Sequence, residues 1–303
     1  MSKVRVFLTG GTGFIGRNLV QALIDRGDEC VVATRSGRNL WSSERVKVHK
    51  ADPSKPGEWQ ERISGVDAVI NLAGERIVDP PRRWTPTRKK QLRSSRVNTT
   101  ANIVDAIRSA KSPPGCFISG SAIGYYGPRG NDEVTESDGP GTDFLASLAR
   151  EWEENATAAE DVVPVSLLRT GIVLGRKGGA LDSLLPSFKM GVGGPWGDGR
   201  QWWSWIHMDD EIGLILMILD SALDGAFNLT APNPVTVNHF AKSLGKALHK
   251  PAWLRAPAAI LRAGLGEGAA ALLDLQRVLP ARAIELGYEF RFPELEPALN
   301  DLV

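Results

Sequence analysis

The sequence predicts an α/β fold: a doubly wound parallel sheet with a smaller, mostly helical C-terminal part. Three observations predict it. Short runs rich in β-branched residues alternate with helix-period segments through the first 175 residues, as strands joined by helical crossovers do. A glycine-rich turn, Gly10–Gly16, follows the first strand and opens the first helix. After Gly175 the alternation gives way to a stretch dense in glycine and tryptophan. Right-handed crossovers leave few topologies for such a chain.

In order, "VRVFLTG" reads as a strand and "FIGRNLVQALIDRG" as a helix ending at Gly27. "ECVVATR", "VKVHKAD" and "DAVINLAG" read as strands, the last after a short helix. The helix "TTANIVDAIRSAK", the strand "GCFISGS" and the helix "DFLASLAREWEENATAAE" follow, then "PVSLLRTGIVLG", read as one strand. "EIGLILMILDSAL" reads as a helix capped by Asp209, and "GAFNLTA" as a further strand. From Pro234 the chain is helical and rich in Ala and Leu. Residues 1–175 with 205–233 are therefore expected to form one domain, and 176–204 with 234–303 a smaller one beside it.

The 36 Lys and Arg residues almost balance 35 Asp and Glu, so charge gives no reason to expect a nucleic acid or an anionic membrane as partner. One run, Arg82–Arg96, is strongly basic; it reads either as a solvated helix face or as the rim of a pocket for an anion. Cys30 and Cys116 have no metal-ligand spacing and read as buried free thiols of a reducing compartment. No signal-peptide pattern is visible, and no apolar run reaches the ~18 residues of a membrane span. The expected location is the cytoplasm.

The turn fits G-x-x-G-x-x-G (Gly10, Gly13, Gly16) and, from Gly11, G-x-G-x-x-G. Alone such a pattern is weak. Between a strand and a helix in the first βαβ unit it predicts a dinucleotide site of Rossmann type. Glycine lets the backbone approach a pyrophosphate, and the helix start at Phe14 and Ile15 offers free N–H groups and a positive dipole end. At the end of the second strand an acidic residue would hold the ribose hydroxyls of NAD. The chain instead has Thr34, Arg35 and Ser36. A guanidinium there pairs with a 2′-phosphate, so NADP(H) is the expected cofactor; the plainer alternative is a solvated arginine at a strand end.

With these motifs the chain resembles the extended short-chain dehydrogenase/reductases: in "TGGTGFIG", in Asp52 after the third strand, in "NLAG" (Asn71–Gly74) and in "FISGSAIGYYG". More narrowly it resembles their atypical subgroup of nucleoside-diphosphate-sugar epimerase-like proteins with an added C-terminal domain of unknown function. That match rests on "RRWT", "LLRTGIVLG", "GVGGPWGDGRQWWSWIHMDD", "FNLTAPNPVT" and "QRVLPARAIELGYEF", and it spans essentially the whole chain. The resemblance implies Gly10, Gly13, Phe14, Ile15 and Gly16 at the pyrophosphate, and Thr34 and Arg35 at the adenosine ribose phosphate. It further implies Asp52, Leu72, Ala73 and Gly74 along the cofactor, Arg96 near its phosphates and Val173 beside the nicotinamide. Leu72, Ala73 and Val173 would also suit a plain sheet core, and Arg96 a solvated basic face.

One departure matters for function. The superfamily works with a Tyr-x-x-x-Lys pair on one helix, the lysine lowering the phenol's pKa for proton transfer. The resemblance places Phe144 at the tyrosine and Leu148 at the lysine, with Ser147 supporting the register. Neither can move a proton. Ser121 and Tyr125 are then the expected catalytic hydroxyls, with Tyr126, His207, Glu75 and Asp209 as further polar candidates; His207 reads equally as a structural histidine. Trp196, Trp202, Trp203 and Trp205 read either as a stacking surface for a sugar-like ligand or as a packed lid, and Arg82 and Arg83 as a hold for its anionic end. The expectation is an NADP(H)-binding oxidoreductase or epimerase acting on an unidentified small molecule, with a catalytically silent redox sensor as the alternative.

Overall fold

The computed structural model describes residues 3–303. Seven parallel strands build its main sheet: β1 (Arg5–Thr9), β2 (Glu29–Thr34), β3 (Val46–Lys50), β4 (Ala68–Asn71), β5 (Cys116–Ala122), β6 (Val165–Thr170) and β7 (Gly225–Leu229). Their spatial order is β7-β6-β5-β4-β1-β2-β3. From β1 the chain winds outward one way to β3, then crosses back to β4 and winds the other way. The reversal leaves a crevice at the C-terminal ends of β1 and β4, where ligands of open α/β sheets bind.

Each face of the sheet has its own helices because its strands are apolar on both sides. Helix α1 (Phe14–Arg26) and helix α6 (Met208–Ser221) cover Val6, Leu8, Ile70, Ile118 and Leu168. On the other face lie α3 (Val97–Ser109) and α4 (Phe144–Thr157), over Phe7, Val69, Phe117 and Val165. Helix α2 (Pro86–Ser94) precedes α3, and α5 (Gly179–Lys189) follows β6. The basic run divides by helical period: Arg88 and Arg96 are buried, while Arg93 pairs with Glu151 at the surface.

Three expectations are corrected. The stretch "PVSLLRTGIVLG" is two strands: β6 ends at Thr170, and Ile172–Leu174 pairs with Trp205–His207 in a separate sheet. Gly171 lies at the break, where an added Cβ would stand 2.6 Å from the carbonyl oxygen of Ser204. The cap of α6 is His207, whose Nδ1 accepts from the N–H of Asp209; Asp209 itself lies in the first turn and pairs with Arg291. The tryptophans are mostly core. Trp196, Trp203 and Trp205 are buried with Phe240, Leu244, Leu295 and Leu299 in a second apolar core. The rings of Trp196 and Trp203 meet edge to face at 5.0 Å. Trp202 carries Arg277 over its ring at 4.6 Å.

Cys30 and Cys116 are free and buried, and burial pushes their thiols up to about 12 and about 11.

Candidate functional site

The glycine turn is shaped by close backbone contacts. Gly10 has φ +73°, and a side chain there would collide with the main chain of Leu72 at the end of β4. A side chain at Gly16 would collide with the carbonyl of Gly10. Gly13 differs: its φ is −75°, and an added Cβ would meet only the carbonyl oxygen of Gly10, at 3.1 Å. A side chain at Gly13 would press on main chain far less than one at Gly10 or Gly16, and it would stand in the cleft that the turn faces. Gly13 caps α1 with no side-chain hydrogen bond, so the N–H groups at the helix start are open to an anion.

A cleft of about 450 Å³ runs from this turn across the crevice. Gly10, Gly13, Thr34, Arg35, Asp52, Leu72, Ala73 and Gly74 all line it. Phe14 and Ile15 do not line it. The Phe14 side chain packs under the turn holding Gly175, Gly178 and Gly179, and Ile15 against the α1-side core. Asp52 accepts from the N–H and hydroxyl of Ser54, which fixes the loop after β3. Beneath the crevice, Thr9 donates to Asn71 at 2.6 Å, and Asn71 donates to Thr100, which Trp152 also reaches. This buried polar chain ties β1, β4, α3 and α4 together.

Charges gather at one end of the cleft. The carboxylate of Glu75 lies 3.2 Å from Arg35 and 3.2 Å from Arg88. Burial pushes the Glu75 carboxyl upward, but the two guanidiniums outweigh it and hold the group below its ordinary value. Arg88 is nearly enclosed, whereas 73% of the Arg35 side chain is exposed. An exposed pair of this kind contributes ~0–1 kcal/mol, so Arg35 can exchange Glu75 for a phosphate while Arg88 keeps Glu75 in place. Arg82 also lines this end; Arg83 instead donates to the carbonyls of Ala263 and Gly264.

A second cavity, of about 250 Å³, lies beyond Gly74. Its walls include Ile77, Ile123, Leu145, Leu148, Trp152 and Ile172, with Thr170, Asp274 and Gln276 as polar members. Arg96 opens here, and its guanidinium also donates to the carbonyl of Glu75 and the hydroxyl of Ser95, two residues that line the cleft. Val173 is buried in the core, and its neighbours Gly171 and Ile172 line the cavity. Phe144 is turned to Trp84, ring centroids 5.2 Å apart, with Lys89 over its face at 4.9 Å.

The expected catalytic hydroxyls are not brought to this cavity. Ser121 donates to Glu153 at 2.6 Å, and Glu153 grips Arg169 through two bonds of 2.9 Å. Arg169 in turn donates to Tyr126, whose hydroxyl donates to Asn228. Burial pushes the Tyr126 phenol up to about 12, against the pull of Arg169. Tyr125 lies with Arg169 3.6 Å from its ring centre. The cation near these tyrosines is thus an arginine from β6, already paired with a carboxylate. His207 is buried against Phe292, and burial holds it below its ordinary value despite Asp209 and Asp301 nearby.

Glu153, Arg169 and Arg88 were not singled out from the sequence. A signal existed for two of them. Glu153 shares a helical face with the apolar Ala149, Trp152 and Ala156, and Arg169 interrupts the apolar run of β6. A charge on a core-facing position implies a buried partner.

Comparison with known proteins places these features in context. A model of the NAD dependent epimerase/dehydratase family matches residues 6–229, and one of a domain of unknown function (DUF1731) matches residues 256–302. The Arabidopsis thaliana protein described as an epimerase family protein SDR39U1 homolog, chloroplastic, is 41% identical over all of this chain and 87% of its own length. Human epimerase family protein SDR39U1 is 37% identical over 99% of this chain and 100% of its own length. A crystal structure of human SDR39U1 with NADPH matches with TM-score 0.88 and 35% identity, covering 98% of each chain. The nucleoside-diphosphate sugar epimerase of Corynebacterium glutamicum matches with TM-score 0.77 and 30% identity, covering 99% of this chain and 58% of that one.

Proposed function

This chain belongs to the NAD dependent epimerase/dehydratase family, and on that premise we propose that it binds NADP(H) in the larger cleft and acts as an oxidoreductase or epimerase-type enzyme on a small molecule. The observation that carries the cofactor reading is the helix start at Gly13, which has no side-chain cap and lines the cleft. The NADPH named for the human relative's crystal structure supports the choice of cofactor. Gly10, Gly13 and Gly16 let the backbone approach the pyrophosphate, and Thr34 and Arg35 meet the 2′-phosphate. Asp52, Leu72, Ala73 and Gly74 line the path between. The bound nicotinamide supplies hydride exchange; the chain positions it and, through the apolar second cavity, excludes water from the reacting partner.

Arg35 decides between the two dinucleotides. A charge-assisted bond from Arg35 to a 2′-phosphate is worth ~1.5–3 kcal/mol, or roughly ten-fold or more in affinity. NADPH is expected to bind at least that much more tightly than NADH, and Arg35→Asp to erase or reverse the difference. Titration by intrinsic tryptophan fluorescence measures both. Equal affinities in the native protein overturn the assignment.

One observation favours a second reading, a silent NADP(H)-binding redox sensor. Helix α4 contains neither Tyr nor Lys, and the hydroxyls of Ser121 and Tyr126 are bonded within the Glu153–Arg169 network. NADPH oxidation assayed over a broad set of carbonyl compounds separates the readings, since steady turnover of any of them rules out the silent one.

A further inference from the structure

The even charge of the whole chain conceals an uneven distribution. From Gly225 to Gly266 there is no Asp or Glu, yet the run contains Lys242, Lys246, Lys250, Arg255 and Arg262. Two helices lie in it, α7 (Val237–Ala247) and α8 (Ala258–Leu265). Of these five cations only Lys246 has a carboxylate partner among the described residues, Glu296 at 3.0 Å. Lys189, in the last turn of α5, is a further exposed cation.

The same part of the molecule holds the most exposed large apolar side chains among the described residues. Trp253 is 72% exposed, Met190 71% and Ile260 65%, with Val192 and Leu254 about half exposed. Two segments distant in sequence bring them together. Ala256 donates to the carbonyl of Pro195 at 2.9 Å, and Gly197 donates to that of Ala256 at 3.0 Å. An added Cβ at Gly191 would touch the Pro251 ring at 3.6 Å, and one at Gly194 would collide with the main chain of Leu254. Helix α8 fully buries none of its residues, and its 8 residues are too few to hold a helix alone in water. Single apolar side chains are ordinary on a surface, whereas a contiguous group marks an interaction face.

The charge says what covers this face. A second copy of the chain, meeting it across a two-fold axis, would set these cations against themselves, which disfavours self-association. The phosphates of anionic lipids complement them. Apolar side chains with Lys and Arg beside them suit the boundary between headgroups and acyl chains: the apolar groups enter, and the cations stay at the phosphates. Tryptophan, with an apolar ring and a polar N–H, belongs at that depth.

We propose that this face docks on an anionic lipid bilayer, with Met190, Trp253, Leu254 and Ile260 entering the headgroup layer and Lys250, Arg255 and Arg262 meeting lipid phosphates. The contact is peripheral: the protein lies on the bilayer without crossing it. Net charge alone gave no reason to expect such a partner, because the acidic residues that balance the chain lie elsewhere. The proposal does not depend on the cofactor reading.

The test is flotation of the full-length protein with vesicles of phosphatidylcholine alone and of phosphatidylcholine with phosphatidylglycerol, in a ratio of about three to one. The native protein is expected to bind the mixed vesicles at least ten-fold more tightly, and to lose most of that binding at high salt. Lys250→Glu combined with Arg262→Glu is expected to weaken binding roughly ten-fold or more, and Trp253→Ser combined with Ile260→Ser by a similar factor. All four side chains are exposed, so circular dichroism and the melting temperature are expected to stay native. Trp253→Phe keeps an apolar ring. It is expected to retain binding within about three-fold, while losing the blue shift of tryptophan emission that mixed vesicles cause in the native protein. No binding of mixed vesicles by the native protein, or equal binding of both compositions, overturns the proposal. So does binding that both double variants retain, because the contact would then lie elsewhere. A native protein that ignores both vesicles and sediments as a dimer, but as a monomer once Trp253 and Ile260 are both serine, also overturns it and assigns the face to a second copy.

Discussion

Glu211 shows how far burial alone can set a residue's chemistry. It lies in the first turn of α6 and is wholly enclosed; Thr170 donates to one carboxyl oxygen at 3.1 Å, and the other oxygen has no hydrogen-bond partner. Burial pushes the group from an ordinary 4.5 up to about 8, against the smaller effect of Thr170. The folded protein therefore keeps this proton at neutral pH, while the unfolded chain gives it up above pH 4.5. Folding takes up a proton between those values, so the stability that Glu211 contributes is present below pH 4.5 and is lost as pH rises through about 8. The slope is at most ~1.4 kcal/mol per pH unit. Glu211→Gln keeps the shape and removes the titration. The stability of this variant relative to native is expected to rise steadily from pH 5 to pH 8 in urea unfolding. A difference independent of pH would mean that Glu211 is ionised in the folded state.

At the scale of elements, three of the four glycines in the strand–turn–helix β1–α1 divide into two separate duties. Gly10 and Gly16 let the turn close against β4 and against itself, where an added Cβ would stand 2.4 and 2.2 Å from main chain; at Gly13 the nearest approach is 3.1 Å and the residue lines the cleft. The distinction gives a paired prediction. Gly13→Val is expected to abolish NADPH binding while circular dichroism and the melting temperature stay close to native. Gly16→Val, which drives a side chain into the Gly10 carbonyl, is expected to lower stability by ~1–3 kcal/mol whether or not cofactor is present. Two variants alike in both respects would show that the turn has one role and that the phosphates are cradled elsewhere. Helix α4 makes a similar division along its own length. Its N-terminal turn presents Leu145 and Leu148 to the second cavity, and Glu153 further along reaches under the sheet to Ser121 and Arg169.

At the scale of the molecule, the second cavity exists because two distant parts of the chain meet. Ile77, Ile123 and Leu148 come from the sheet half, and Ala271, Asp274, Leu275 and Gln276 from the C-terminal segment. That segment is tied down where Arg277–Val278 pairs in parallel with Glu133–Val134, and where Ser204 exchanges hydrogen bonds with Gln276 and Val278. No helix among the described residues is long and apolar enough to cross a membrane. The enclosure bears on substrate choice. A sugar joined to a nucleoside diphosphate is large, polar and doubly charged, and the cavity is small and apolar. Helix α4 also lacks the phenol and ammonium whose general acid–base help is worth ~10²–10⁴ in rate. No appreciable turnover of UDP-glucose or UDP-galactose is therefore expected, even with NADP(H) bound. A coupled epimerase assay measures it, and rapid turnover would place the reacting centre outside the cavity described.

The sequence by itself determined the local and repetitive features. Alternating strand and helix patterns dictated a doubly wound sheet, because burial on both faces leaves parallel strands few other arrangements. A glycine turn between a strand and a helix carried its own geometry, and Arg35 was legible because the end of β2 lies a short, regular distance from that turn. Only the tertiary structure decided which charges meet. Glu75 with Arg35 and Arg88, and Ser121 with Glu153 and Arg169, are separated by 13 to 40 positions in the chain. Nothing local marks them as partners. The tryptophans were ambiguous for the same reason: an indole packs against a neighbour or a ligand by the same contacts. Composition supplies the ring, and only the fold says what lies across from it.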